Sequence, residues 1–117
     1  MLKAAIIGCG RIAGERWDVQ SSYNDAKEML AKEDIDILSI CTPVESHYDL
    51  VMLALKHCSS LKAIWCEKPI SNSLSTSYKM INACKKKNVM LAVNYTRRWD
   101  SFHVSIAEKI RSGVVGR

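Results

Sequence analysis

The stretch AAIIGCGRIAG, residues 4–14, decides the fold predicted for this chain. Its first four residues are apolar and uninterrupted by charge, which is typical of a parallel-sheet strand buried on both faces. The glycines that follow are typical of a turn into a helix. We therefore predict a strand over residues 4–7 and a strand-to-helix turn that begins at Gly8.

This turn has the spacing of a dinucleotide-binding loop. Gly8 would allow the tight turn, Gly10 would let the backbone approach a pyrophosphate, and Ala13 takes the third position, where a small residue permits close helix packing. The amides of Arg11 and Ile12 would point at phosphate oxygens from the positive end of a helix. The motif alone is weakly specific, because ordinary strand-to-helix connections carry similar glycines.

Composition narrows the class of protein. A chain of 117 residues, 48% apolar, is sized for one small domain with a single core. The net charge of +5 is spread along the chain, and no aromatic residues are interleaved with its densest basic cluster, residues 85–87, so we expect no nucleic-acid partner. No apolar stretch is long enough to span a membrane or to act as a signal peptide, so we also expect no membrane partner.

The five cysteines are odd in number and share no spacing typical of metal ligands. We therefore predict reduced thiols, no metal site and a cytoplasmic protein.

Strand and helix patterns alternate along the rest of the chain. Runs rich in β-branched and apolar residues predict further strands over 35–41, 61–66 and 89–93. Helical spacing predicts helices from 24 or 25 to 32, over 47–56, from 71 or 72 to 87, and over 101–111. This alternation predicts an α/β fold, a Rossmann-like doubly wound parallel sheet with helices on both faces.

Polar residues follow each predicted strand, and parallel strands bring these segments to one end of the sheet, where ligands bind in open α/β folds. On pattern alone, Lys68 would be a solvated turn lysine, and His47 would be a histidine at a helix start or a partly buried one, not a base. Trp65 and Trp99 are predicted to be packing residues. The segments at this end are residues 8–13, 42–43, 67–69 and 94–98.

Four motifs resemble the Gfo/Idh/MocA family of NAD(P)-dependent sugar and polyol oxidoreductases. They are AAIIGCGRIAG, DIDILSICTPVESH at 34–47, CEKPIS at 66–71 and NYTRRWD at 94–100. Together they cover nearly the whole chain, but only the N-terminal half of a normal family member. The resemblance implies hydride transfer between NAD or NADP and a sugar, polyol or related hydroxy compound.

The resemblance also implies roles for individual residues. Lys68 would be the catalytic residue that orients the reacting hydroxyl and assists its proton transfer, and the peptide bond before Pro69 would be cis. Thr42 and Pro43 would line the nicotinamide side, and Glu67 would contact the ribose. The implied cofactor-binding set is Gly8, Gly10, Arg11, Ile12, Ala13, Thr42, Pro43, His47, Glu67, Lys68, Pro69, Asn94 and Arg97.

The sequence departs from the family in two places. A dinucleotide fold carries an acidic residue at the end of its second strand, but Asp34 and Asp36 open a strand and so lie at its opposite end. The segment near 15–22 is too short to hold the second strand and second helix that the family has there. Because the acidic residue would end that second strand, the choice of NAD or NADP stays open. We divide the chain into a dinucleotide-binding domain, 1–98, and a linker helix, 99–117, that begins an absent C-terminal α/β substrate domain.

Two functions follow from these observations. The first is an oxidoreductase, a homo-oligomer at full length, of which the 117 residues alone would not turn over substrate. The second is a non-catalytic dinucleotide-binding sensor of the same fold. The EKP stretch, residues 67–69, favours the enzyme, because a sensor has less need of the lysine.

Overall fold

A computed structural model describes residues 1–9, 20–114 and 116 of the chain. Gly10, Arg11, Ile12 and Ala13, which the sequence assigns to the phosphate-binding turn, lie outside the described residues. The predictions made for these four residues therefore stay predictions.

Four parallel strands form one sheet in the order β1-β2-β3-β4. A helix follows each of the last three strands, and another precedes β2. The elements are β1 (Ala4–Ile7), α1 (Ala26–Lys32), β2 (Ile37–Ile40), α2 (His47–His57), β3 (Ala63–Glu67), α3 (Leu74–Lys86), β4 (Met90–Asn94) and α4 (Ser101–Arg111). Each lies at its predicted place, which confirms the Rossmann-like α/β prediction.

Side-chain caps set where three of the helices begin. Asp25 accepts a hydrogen bond from the Glu28 amide, and Asp100 accepts one from the His103 amide. At α3 the cap is Ser73, which accepts a hydrogen bond from the Thr76 amide. The cap therefore lies one or two residues after Ser71 or Asn72, the caps that the sequence predicts, because residues 71 and 72 remain in the loop.

Burial is concentrated on one face of the sheet. Leu38 and Ile40 of β2 pair with Ile64 and Cys66 of β3, and all four are at most 1% exposed. Helix α2 packs against both α1 and α3, so these three helices share that face. Each buried Leu or Ile contributes about 1.5–3 kcal/mol to folding. Within the described residues, helices α1, α2 and α3 thus cover one face of the sheet.

Two tryptophans that the sequence predicts to be packing residues are exposed in the structure. Trp65, in the middle of β3, is 45% exposed, and Trp99 is 81% exposed in the loop before α4. The packing prediction for both tryptophans is wrong, because neither side chain is buried among the described residues. The strand over 4–7 likewise is only partly buried, with Ala4 exposed.

No helix in the described part of the chain is long and apolar enough to cross a membrane.

Asp36 joins three strands at the amino end of the sheet. Its carboxylate accepts a hydrogen bond from the Lys3 amide at 2.8 Å and forms an ion pair with Lys62 Nζ at 2.8 Å. The hydrogen bond from the Lys3 amide, supported by Lys62, lowers the pKa of this carboxyl below its usual value. Asp36 therefore lies opposite the end where a ribose-binding carboxylate would be needed.

Gly8 fixes how closely β1 approaches the end of β2. Its φ is +99°, and a Cβ there would lie 2.6 Å from the backbone carbon of Cys41 and 2.8 Å from the Thr42 nitrogen. The Cys41 amide also donates a hydrogen bond to Ile7 O at 2.8 Å. Only glycine fits this crossing, because both the conformation and the space exclude a side chain.

We expect Gly8→Ala to lower the free energy of unfolding by about 3 kcal/mol, because it combines a left-handed backbone with a backbone clash. Urea denaturation measures this change. Gly113→Ala is the matched control, since Gly113 has a φ of +80° but nothing within 4 Å of its Cβ position. A loss at position 8 no larger than at position 113 would contradict the crowding.

Asp36→Asn should change the pH dependence of stability. Because the pKa of Asp36 is lowered in the folded protein, its carboxylate stabilises the fold at pH values above the pKa of the unfolded chain, about 4. This stabilisation is lost as the pH falls through the pKa of the folded state. The variant should therefore be less stable than wild type at neutral pH and converge with it in acid. Asp34→Asn is the control, since Asp34 is exposed and forms no side-chain hydrogen bond to described residues. Equal pH profiles for wild type and Asp36→Asn would contradict the assignment.

Candidate cofactor and substrate site

The parallel register brings the carboxyl ends of all four strands to one end of the sheet. Ile7 pairs with Ile40, Ile40 with Cys66, and Cys66 with Val93. The residues that follow these four positions therefore stand side by side. They are Gly8, the loop that contains Thr42, the Glu67–Pro69 segment and Asn94.

The loop after β2 is held by a serine one turn away. Ser46 Oγ lies 2.7 Å from Thr42 Oγ1 and 2.8 Å from Pro43 O. A 3₁₀ turn over Val44–Ser46 positions this hydroxyl, because the Ser46 amide donates a hydrogen bond to Pro43 O. The sequence analysis did not single out Ser46, although its spacing of four from Thr42 was a usable signal.

His47 lies beneath this end of the sheet. The residue is fully buried, with Nε2 2.9 Å from Thr42 O and Nδ1 3.0 Å from Pro69 O. It is the first residue of α2, and with Val51, Ala54 and Leu55 it forms the buried stripe of that helix. Its ring therefore contacts both loops from the core side of the sheet, and the predicted contact of His47 with the cofactor stays a prediction.

Glu67 and Asn94 connect the ends of β3 and β4. The Asn94 side-chain amide donates to Glu67 Oε1 at 2.6 Å, and both residues are half-buried.

Burial raises the pKa of the neighbouring Cys66 thiol to about 11, with the Glu67 charge adding to the shift. Cys66 is therefore a protonated core residue and not a nucleophile.

Lys68 and Arg97 line a cleft of about 400 Å³ together with Tyr95 and Thr96. Lys68 directly precedes Pro69, and the peptide bond between them is cis, as the resemblance implied. The cleft carries two cationic side chains and a phenol hydroxyl, a donor set suited to hydroxyl and phosphate oxygens. The sequence alone does not single out Tyr95, although it lies between Asn94 and Arg97, which are both predicted to border the site. A second cleft, of about 490 Å³, lies at the amino end of β4 beside α3.

The structure thus brings most of the predicted residues to one place. Thr42 and Glu67–Pro69 follow adjacent strands, and Asn94 contacts Glu67. Gly8 touches the backbone of the Thr42 loop. Pro43 and Arg97 lie on the same loops, exposed to solvent.

Comparison with known proteins agrees with this geometry. The Gfo/Idh/MocA family model, described as an oxidoreductase family with an NAD-binding Rossmann fold, matches residues 13–95. The matched segment begins after Gly8 and Gly10 and includes the Thr42, Glu67–Pro69 and Asn94 segments.

Individual relatives point the same way. A D-apiose dehydrogenase from Paraburkholderia graminis is 33% identical over 106 residues, which cover 91% of this chain and 28% of that protein. A myo-inositol 2-dehydrogenase from Thermotoga maritima is 29% identical over 103 residues, covering 88% of this chain and 30% of that protein. The chain thus spans about 30% of the length of these curated relatives.

The fold has a close counterpart among solved structures. An oxidoreductase from Agrobacterium radiobacter, crystallised with NAD+, L-tartaric acid and magnesium, superposes with a TM-score of 0.81 at 26% identity. The superposition covers 99% of this chain and 42% of that one. The chain belongs to the Gfo/Idh/MocA oxidoreductase family and forms its NAD-binding Rossmann domain.

Proposed function

We propose that this chain is the cofactor-binding part of an NAD(P)-dependent oxidoreductase that transfers hydride between the nicotinamide and a sugar, polyol or related hydroxy compound. The observation that carries the proposal is the position of Lys68. It follows the central strand β3, lines a cleft with Arg97, and stands beside the Thr42 loop at the carboxyl end of the sheet.

The chain's residues fit a dinucleotide at this end. Gly8 lies close against the end of β2, and Gly8 and Cys9 are exposed to solvent. In this proposal Gly8 and residues 10–13 hold the pyrophosphate, Thr42 and Pro43 line the nicotinamide side, and Glu67 contacts the ribose. Asn94 would orient Glu67 through their hydrogen bond. NAD(P)+, when bound, accepts the hydride.

Lys68 would do the acid-base work of the reaction. The hydroxyl-bearing carbon of the substrate loses a hydride, its oxygen loses a proton through the Lys68 amine, and a carbonyl forms. Arg97, at the other side of the cleft, would border both the cofactor and the substrate. The remaining walls of the pocket, in this proposal, come from a C-terminal α/β domain that follows the linker helix.

The relatives' names favour a polyhydroxylated substrate over other hydroxy compounds. One relative is named for D-apiose and another for myo-inositol, and both compounds present a ring or chain of adjacent hydroxyls. A small sugar or polyol is therefore our proposed substrate, in a cytoplasmic protein that forms homo-oligomers at full length.

Lys68→Ala tests the role of the lysine in the protein produced from its complete reading frame. We expect kcat to fall about 100-fold or more, with the Kd for NADH, followed by tryptophan fluorescence, changed by no more than about twofold. The assay uses NAD+ and NADP+ with a panel that includes myo-inositol and D-apiose. Lys79→Ala, an exposed lysine of α3, is the control and should leave both quantities unchanged.

Three outcomes would be informative. Unchanged turnover in Lys68→Ala would show that the assigned role is wrong. Binding of NADH without turnover of any substrate in the panel would favour a dinucleotide sensor. Absence of binding of both NADH and NADPH would exclude both functions.

A further inference from the structure

His47 is the one buried polar residue among the described side chains, and the mechanism above gives it no part. Its position raises a question of function because both of its ring nitrogens face backbone carbonyl oxygens of different loops. A carbonyl oxygen only accepts hydrogen bonds, so any bond here must be donated by the imidazole. A neutral imidazole carries one N–H and donates to one of the two oxygens, whereas donation to both requires a proton on each ring nitrogen. The ring is therefore a donor placed between two loops.

The two loops are those that carry the proposed reaction. Thr42 O belongs to the loop after β2, next to the residues proposed to line the nicotinamide side. Pro69 O belongs to the loop after β3, one residue beyond Lys68. The ring thus connects the backbone that bears the lysine with the backbone that faces the cofactor.

Few other contacts could hold these loops together. The β2–β3 pairing ends at Ile40 and Cys66, before either loop begins. Among the described residues, no other hydrogen bond joins residues 41–46 to residues 68–71. Helix α2 anchors the imidazole from below, because it packs against both α1 and α3.

We propose that His47 is a positioning residue, which sets the separation of Lys68 from the cofactor-facing Thr42 loop by bridging the carbonyl oxygens of Thr42 and Pro69. This inference rests on the proposed oxidoreductase function. Hydride and proton transfer require each reacting group to lie within about 0.5 Å of its productive position. A misplacement of about 1 Å can lower the rate about 100-fold. His47 would act on the rate through backbone position alone, without touching substrate or cofactor.

Three substitutions separate the two links. His47→Phe keeps a ring but removes both ring nitrogens and so every hydrogen bond to the two carbonyl oxygens. In His47→Asn the side-chain amide lies near the place of Nδ1 and keeps the link to Pro69, whereas in His47→Gln it lies near the place of Nε2 and keeps the link to Thr42. His57→Phe, at the other end of α2, is the matched control.

We expect His47→Phe to lower kcat about 10- to 100-fold, with the Kd for NADH within about threefold of wild type. His47→Asn should retain more turnover than His47→Gln, because Pro69 adjoins Lys68. His57→Phe should leave kcat unchanged. Urea denaturation of each variant shows whether the order of kcat merely follows the order of stability.

A second readout does not depend on turnover. In ¹H–¹⁵N spectra of wild type, a ring N–H of His47 should exchange slowly with water, because the residue is fully buried. In His47→Phe the amide signals of Lys68 and Ile70 should shift together with that of Cys41, and in His57→Phe they should not.

The two readouts keep the claims separate. Unchanged kcat in folded His47→Phe, or kcat values that only track stability, would overturn the positioning role. Unshifted loop amides would overturn the bridge itself. A protein that binds NADH but turns over no substrate would overturn the proposed function and the effect on rate, while the amide shifts would still decide whether His47 bridges the loops.

Discussion

The structure depends on the burial of one face of a four-stranded parallel sheet beneath three helices. Leu38, Ile40, Ile64 and Cys66 meet in register on that face and are closed off from water. Parallel strands must each be followed by a crossover, and here every described crossover carries its helix to the same side. The direction of the strands then places all four connecting turns at a single end of the sheet.

That arrangement explains why the candidate site is built from short segments far apart in sequence. Each strand delivers a few polar residues at its carboxyl end, while its apolar residues stay in the core. Short-range contacts join the segments. Gly8 packs against the Cys41 backbone, His47 lies between two carbonyl oxygens, and the Asn94 amide donates a hydrogen bond to Glu67. The core thus fixes the place of the site, and these contacts fix its geometry.

The other face of the sheet and helix α4 are different in character. Trp65 is exposed there, and α4 carries exposed Phe102, Val104, Ile106 and Ile110. The chain measures 56 × 35 × 29 Å, with a radius of gyration of 17.0 Å, against about 13 Å for a compact domain of this size. The described residues therefore contain one complete layer of helices and one uncovered sheet face.

The sequence determined the positions of the strands and helices, because apolar runs and helical spacing are local properties of the chain. It also determined which residues meet at the carboxyl end of the sheet, since the segments that follow parallel strands all lie at the same end. Four motifs, from AAIIGCGRIAG to NYTRRWD, were enough to indicate the family, and residues 13–95 match its model.

Tertiary structure alone decided which faces are covered and what His47 does. Trp65 resembles a packing residue in sequence, but its exposure depends on whether another element lies over that face. The spacing of His47, Val51 and Ala54 could have predicted that the histidine is buried. Its two carbonyl partners could not be predicted, because Pro69 lies 22 residues away and reaches the ring only when β2 and β3 pair side by side.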